Sequence, residues 1–168
     1  RLTHEGIDIA ITLDLSESMG ADDLRPDRLT AAKLVIDKFI SLRPNDRIAL
    51  VAFGSEASTV APLTLDHGVL RNLIQQLRLG VVDGSLTSIG AGLGVALNRL
   101  EESQASSKVI VLLTDGVWNA LGDDLARCEG RDRVEGRAAR GMAAEGRIVL
   151  EVGRLESLMV FYILIRAL

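Results

Sequence analysis

The chain is poor in several of the residues that most often carry chemistry. It has one cysteine, Cys128, which excludes an intramolecular disulfide and a cysteine-cluster zinc site. Its two histidines, His4 and His67, are too few and too far apart in sequence to point to a histidine metal site. Phe39, Phe53, Trp118, Phe161 and Tyr162 are the only aromatics, so the core must be aliphatic. No run approaches the roughly 20 apolar residues of a membrane-spanning helix. The longest, residues 158–165, reads as a core strand or a sticky tail in preference to the first half of a span. Basic residues are not in excess: 19 Lys and Arg against 23 Asp and Glu give a net charge of −4, which does not support a nucleic-acid-binding face. There is no initiator Met and no signal-like segment, so the chain reads as a piece of something longer or as processed.

What is present is ordinary globular material. At 168 residues, 48% apolar and 25% charged, it makes one domain, residues 1–168. Residues 7–13 (IDIAITL), 48–53 (IALVAF) and 109–113 (VIVLL) are short apolar runs rich in β-branched residues and read as buried strands. Residues 58–63 read as a further strand, with Pro62 favouring an edge. Leu29, Ala32, Val35, Ile36, Phe39 and Ile40 give one helix an apolar face, with Lys33 and Asp37 on its outer side. Asp66 caps a second helix carrying Val69, Leu70, Leu73, Ile74 and Leu77. Ile89, Leu93, Ala96, Leu97 and Leu100 mark a third. Strands apolar on both faces, alternating with helices, predict an α/β fold: an open, doubly wound, mostly parallel sheet with helices on both faces. Beyond residue 119 the pattern changes. Residues 123–154 are dense in Arg, Glu, Asp, Gly and Ala; residues 133–145 read as helical and 148–152 as one more strand.

In open α/β sheets, ligands bind beyond the carboxyl ends of the strands. Asp14-Leu15-Ser16-Glu17-Ser18 follows the first strand, and Thr114-Asp115-Gly116 follows residues 109–113. Asp83-Gly84-Ser85-Leu86-Thr87-Ser88 precedes the third helix. Converging on one edge, these loops offer Asp14, Ser16, Ser18, Thr87 and Asp115, an all-oxygen donor set. Such a set suits a hard divalent cation: Mg²⁺ first, with Mn²⁺ or Ca²⁺ as alternatives. Hydroxyl ligands are neutral, so two carboxylates only just balance a divalent ion; where the carboxylates act partly through water, the ion stays electron-poor and can accept one more carboxylate from a partner. No general base stands beside the set, so it reads as a binding site and not an enzyme. Each piece alone has a plainer reading. Asp and Ser are common turn and capping residues, and Thr87-Ser88 would serve as an N-cap. Their order and their places at strand ends carry the metal reading.

Asp14-x-Ser16-x-Ser18, then Thr87, then Thr114-Asp115-Gly116 resembles the metal-ion-dependent adhesion site of von Willebrand factor type A domains. The resemblance spans residues 6–118, leaving 119–168 divergent or truncated. GIDIAITLDLSESM, RLTAAKLVIDKFISLRPNDRIALVAFGSEA, PLTLD and KVIVLLTDG are most similar to the bacterial membrane-anchored aerotolerance (Bat-type) members. The resemblance implies a Rossmann-like sheet with one short antiparallel edge strand. It implies Mg²⁺ held by Ser16, Ser18 and Thr87, with Asp14 and Asp115 acting directly or through water. It implies an interaction module whose partner is another protein, supplying an acidic residue to the metal. It also implies a membrane-anchored parent in the bacterial inner membrane with this domain facing the periplasm, and no direct membrane contact by residues 1–157. Two departures stand out: Glu17 where many such members have Gly, and no recognisable helix and final strand beyond residues 147–153.

Two alternatives compete. A haloacid-dehalogenase-type, Mg²⁺-dependent phosphohydrolase also places an Asp after its first strand, but carries a second Asp two residues on, where this chain has Ser16. A metal-free scaffold with a degenerate site is the other. Gly90-Ala91-Gly92-Leu93-Gly94 lies inside a helical pattern, so these glycines are read as close packing of helix on sheet, not a nucleotide loop. Trp118 is read either as a partner anchor or as packed under the Asp115 loop, and Cys128 as a spectator thiol.

Overall fold

The computed structural model of the chain describes residues 6–115 and, by backbone, two strands near the C-terminus. The readings made for residues 133–145, Trp118 and Cys128 lie outside the described residues. In chain order the elements are β1 (Asp8–Asp14), α1 (Arg28–Ser41), β2 (Arg47–Phe53), β3 (Ala57–Thr64), α2 (His67–Gln76), α3 (Ile89–Glu101), β4 (Ser107–Thr114), β5 (Ile148–Leu155) and β6 (Leu158–Arg166). A short 3₁₀ turn, Glu17–Gly20, follows β1.

The strands form one sheet in the order β3-β2-β1-β4-β6-β5. β1 is parallel to both β2 and β4, and β3 is antiparallel at one edge, where Pro62 costs no ladder bond that a central strand would need. The apolar run at 158–165 is strand β6, lying antiparallel beside β4, and β5 is antiparallel to β6. Residues 148–155 therefore form the expected further strand but do not pair with β4. Only residues 156 and 157 separate β5 from β6, too few for the crossover that a parallel pair needs, so the two fold back as a hairpin. Among the described residues no helix is long and apolar enough to cross a membrane.

Period-two alternation sorts each central strand between two faces. Ile9, Ile11 and Leu13 of β1, with Ile48, Leu50 and Ala52 of β2, pack against Leu29, Ile36 and Ile40 of α1 and Leu70 and Ile74 of α2. Ala10, Val51, Phe53, Ile110 and Leu112 face the other way and meet Ile89, Leu93, Ala96, Leu97 and Leu100 of α3. Helices thus cover both faces, α1 and α2 on one and α3 on the other. The glycines of α3 serve that packing: Gly90, Gly92 and Gly94 are buried.

The helix starts follow the expected chemistry. Asp27 accepts from Thr30 N at 2.7 Å, Asp66 from Val69 N at 3.0 Å, and Ser88 from Ala91 N at 3.4 Å. Lys33 and Asp37 depart from expectation, because they reach across to α2 at the solvent-facing side of the two helices. Lys33 Nζ donates to the carbonyls of Gln75 and Leu77 at the end of α2, and Asp37 pairs with Arg71 at 2.5 Å. Two helices lying side by side on one sheet face leave a polar seam between them, and these residues fill it.

Candidate metal centre at the carboxyl edge of the sheet

Parallel pairing brings the ends of β1, β2 and β4 to the same edge. Asp14 stands beside Phe53 of β2, and Leu13 beside Leu113 of β4, so Thr114 and Asp115 emerge next to the Asp14 loop. The loop of residues 83–88 is drawn to this edge through the turn after β2. Ser55 N donates to the Asp83 carbonyl and Ser88 N to the Gly54 carbonyl, both at 2.7 Å. Glu17 N donates to the Gly84 carbonyl at 3.0 Å, which joins the first loop to the second. That approach requires glycine: a Cβ at Gly84 would lie 2.8 Å from the Leu15 carbonyl oxygen.

Four of the five expected residues form one hydrogen-bonded chain. Ser16 N donates to Asp14 Oδ1 at 2.8 Å, and Thr114 Oγ1 donates to Asp14 Oδ2 at 2.5 Å. Ser16 Oγ and Ser18 Oγ are 3.1 Å apart, and Ser18 Oγ donates to Asp115 Oδ1 at 2.9 Å. Thr87 is placed less tightly. It is half-buried, three residues beyond Gly84 and just before the α3 cap, and among the described residues it makes no hydrogen bond to the other four. Glu17 is exposed, so its carboxylate sits in water beside the group and not within it.

Electrostatics separates the two carboxylates. Asp14 is fully buried, and burial pushes its carboxyl above the ordinary value; hydrogen bonds from Ser16 and Thr114 pull it partly back, and the nearby Asp115 adds to the rise. Asp115, whose side chain is only 3% exposed, pairs instead with Arg28, whose Nη1 donates to Oδ2 at 2.5 Å. Arg28 also forks onto Asp23, through Nε at 2.7 Å and Nη2 at 2.9 Å. Asp23 first and Asp115 second hold the Arg28 guanidinium even more firmly protonated than usual. Arg28 was absent from the residues singled out by sequence. The available signal was topological: a helix that follows β1 begins at the strand's carboxyl edge, so its first turn faces the same loops.

The oxygen set fits a small hard cation. An octahedron with ligands about 2.1 Å from its centre has edges of roughly 3 Å. The Ser16–Ser18 and Ser18–Asp115 oxygen separations, 3.1 and 2.9 Å, are of that length. Among the described residues no group of three or more His, Cys, Asp or Glu side chains could hold an ion, so an ion at this edge would have to draw on hydroxyls as well as carboxylates. Ser16 is buried and Ser18 exposed, which leaves the group reachable from the Ser18 side.

The family model described as the von Willebrand factor type A domain matches residues 9–117. An uncharacterized protein of Borreliella burgdorferi is 41% identical over 116 residues, covering 68% of this chain and 34% of that protein. The chain thus spans about a third of the length of this curated relative. Among solved structures, an aerotolerance-related membrane protein from Bacteroides fragilis is 30% identical with a TM-score of 0.56, covering 60% of this chain and 49% of that one. The von Willebrand factor domain of the type V pili tip protein Mfa5 from Porphyromonas gingivalis is 28% identical with a TM-score of 0.58, covering 67% and 38%.

Proposed function

From the premise that this chain belongs to the von Willebrand factor type A domain family, we propose that it recognises a partner protein through a divalent metal ion. The family's fold is a protein-interaction and adhesion fold; the similar domain in a pilus tip protein is one setting for it. One observation carries the finer reading: Ser16 Oγ, Ser18 Oγ and Asp115 Oδ1 lie in sequence at 3.1 and 2.9 Å, on loops from two parallel strands. Ser16, Ser18 and, from the adjoining loop, Thr87 would hold Mg²⁺, with Mn²⁺ able to substitute. Once bound, the ion would supply a Lewis-acidic position for a carboxylate of the partner.

The residues of the chain divide the remaining work. Asp14 has one oxygen on Ser16 N and the other on Thr114, so it fixes the loop and lends negative charge without leaving its place. Asp115 accepts the Ser18 hydroxyl hydrogen bond, which leaves Ser18 Oγ to accept from Ser16 Oγ and keeps the two hydroxyls together. Fully buried and with both oxygens already accepting, Asp14 is poorly placed for attack on a phosphoryl group, which favours binding over the phosphohydrolase alternative. By likeness to the Bacteroides fragilis membrane protein, the whole protein is proposed to be membrane-associated.

Calorimetric titration with Mg²⁺ and Mn²⁺ tests the site directly. Wild type is expected to bind one ion, and Asp14→Ala and Ser16→Ala to lose at least tenfold in affinity. A short peptide with a single glutamate should then be retained in Mg²⁺ and released by chelator, while its alanine counterpart is not retained. Absence of ion binding by the wild type overturns the reading; retention unchanged in chelator overturns its partner half.

A further inference from the structure

We propose that Arg28 is the resident counter-cation of this edge: it holds the charge of Asp115 and thereby limits how tightly a divalent ion is bound. The inference rests on the metal reading above and adds to it a residue that sets the affinity. Arg28 Nη1 meets Asp115 Oδ2 at 2.5 Å, while Asp115 Oδ1 accepts from Ser18, so a permanent cation is one carboxylate away from a candidate ligand hydroxyl. The guanidinium also reaches the Ser18 carbonyl, at 3.5 Å.

The placement of Arg28 runs against local preference. It is the first residue of α1, where the helix dipole disfavours a positive charge. Asp23 and Asp115 compensate from outside the helix. Asp23 grips Nε and Nη2 in a two-point fork and leaves Nη1 for Asp115, a geometry suited to a guanidinium but not to an ammonium. The pairing spans 87 residues of chain and ties the start of α1 to the end of β4.

Charge balance gives the direction of the effect. Asp14 and Asp115 are the two carboxylates of the group, and Arg28, shared with Asp23, offsets part of the charge of Asp115. The metal-free protein therefore does not carry a bare, 3%-exposed Asp115 carboxylate, and an arriving ion meets a site of reduced negative charge. Without Arg28, a divalent ion becomes the counter-charge of Asp115. Removing one unit charge several ångströms from a divalent ion is expected to raise its affinity by about tenfold, even with water-like screening.

The test is a Mn²⁺ titration followed by electron paramagnetic resonance at fixed ionic strength. It is paired with thermal melts in chelator and in saturating Mg²⁺, for wild type, Arg28→Gln and Arg28→Lys. Expected are about tenfold tighter Mn²⁺ binding by R28Q, a lower melting temperature for R28Q in chelator that Mg²⁺ restores, and R28K within about threefold of wild type. Binding by R28Q alone, with none by wild type, overturns the metal reading of the native chain and with it the role assigned to Arg28. Wild-type binding with R28Q equal or weaker overturns the role of Arg28 and leaves the metal reading standing. A gain of affinity in R28K equal to that in R28Q would make the guanidinium fork and not its charge the limiting feature, and would also overturn it. No binding by any of the three overturns both readings.

Discussion

Thr114 Oγ1 donates to Asp14 Oδ2 at 2.5 Å across the parallel β1–β4 pair, where both residues are fully buried. This bond gives a buried carboxylate a neutral partner and not a cation, so Asp14 remains a stability cost in the metal-free protein. Burial raises the Asp14 carboxyl above its ordinary 3.8, which means the folded state keeps this proton more tightly than the unfolded chain does. Stability from this group is therefore greatest at low pH and falls as pH rises from about 3.8 through the raised folded value. Asp14→Asn should remove that fall and stabilise the metal-free protein at neutral pH. It should also abolish stabilisation by Mg²⁺. Melting curves from pH 4 to 8, with chelator and with Mg²⁺, measure both; a metal-free variant less stable than wild type at pH 7 would contradict the expectation.

Gly92 gives the second prediction. A Cβ there would lie 2.8 Å from Phe53 Cγ, 2.9 Å from Phe53 Cδ1 and 3.1 Å from Thr12 Cγ2. Alanine should gain about 1 kcal/mol of helix propensity, but overpacking against a fixed ring costs roughly 1–3 kcal/mol. Because Phe53 is fully buried and its ring base cannot swing away, the clash should win, and Gly92→Ala should destabilise by about 1 kcal/mol. Urea denaturation would read it. In a cycle with Phe53→Leu the two changes should be less than additive, since the smaller side chain frees the space that the new methyl needs.

Much of this architecture could be read from residue patterns. The apolar runs, the caps at Asp66 and Ser88, and the gathering of Asp14, Ser16, Ser18 and Asp115 all follow from local periodicity plus the rule that loops collect at strand ends. What escaped reading depends on partners distant in sequence. Arg28 looks like any first-turn surface arginine until the end of β4 lies beside it. Lys33 and Asp37 look solvated until α2 packs alongside α1. The antiparallel pairing of β5 with β6 is set by the shortness of the 155–158 connection, whereas which of the two lies beside β4 is not written in either strand's side-chain pattern. Thr87 was singled out by motif alone, and its hydroxyl has no hydrogen bond to the other four among the described residues.

Asp8 and Arg47 lie at the opposite, amino-terminal edge of the sheet and make the last prediction. Asp8 is 2% exposed; Arg47 Nε donates to its Oδ1 at 2.8 Å and Nη2 to its Oδ2 at 2.5 Å, and Ser103 Oγ donates to Oδ2 as well. The arginine is nearly half exposed, so the pair is a buried anion served by a cation from the rim. Arg47→Ala would leave that anion with a single hydroxyl donor, at an expected cost of about 2–4 kcal/mol. Adding Asp8→Ala to Arg47→Ala should recover part of the loss, because the orphaned charge disappears with it. Metal affinity should be unchanged in both variants, since the pair and the Asp14 loop stand at opposite ends of β1. Equilibrium denaturation alongside Mn²⁺ titration checks this: a double variant as unstable as the sum of its singles would show that Asp8 needs no counter-charge.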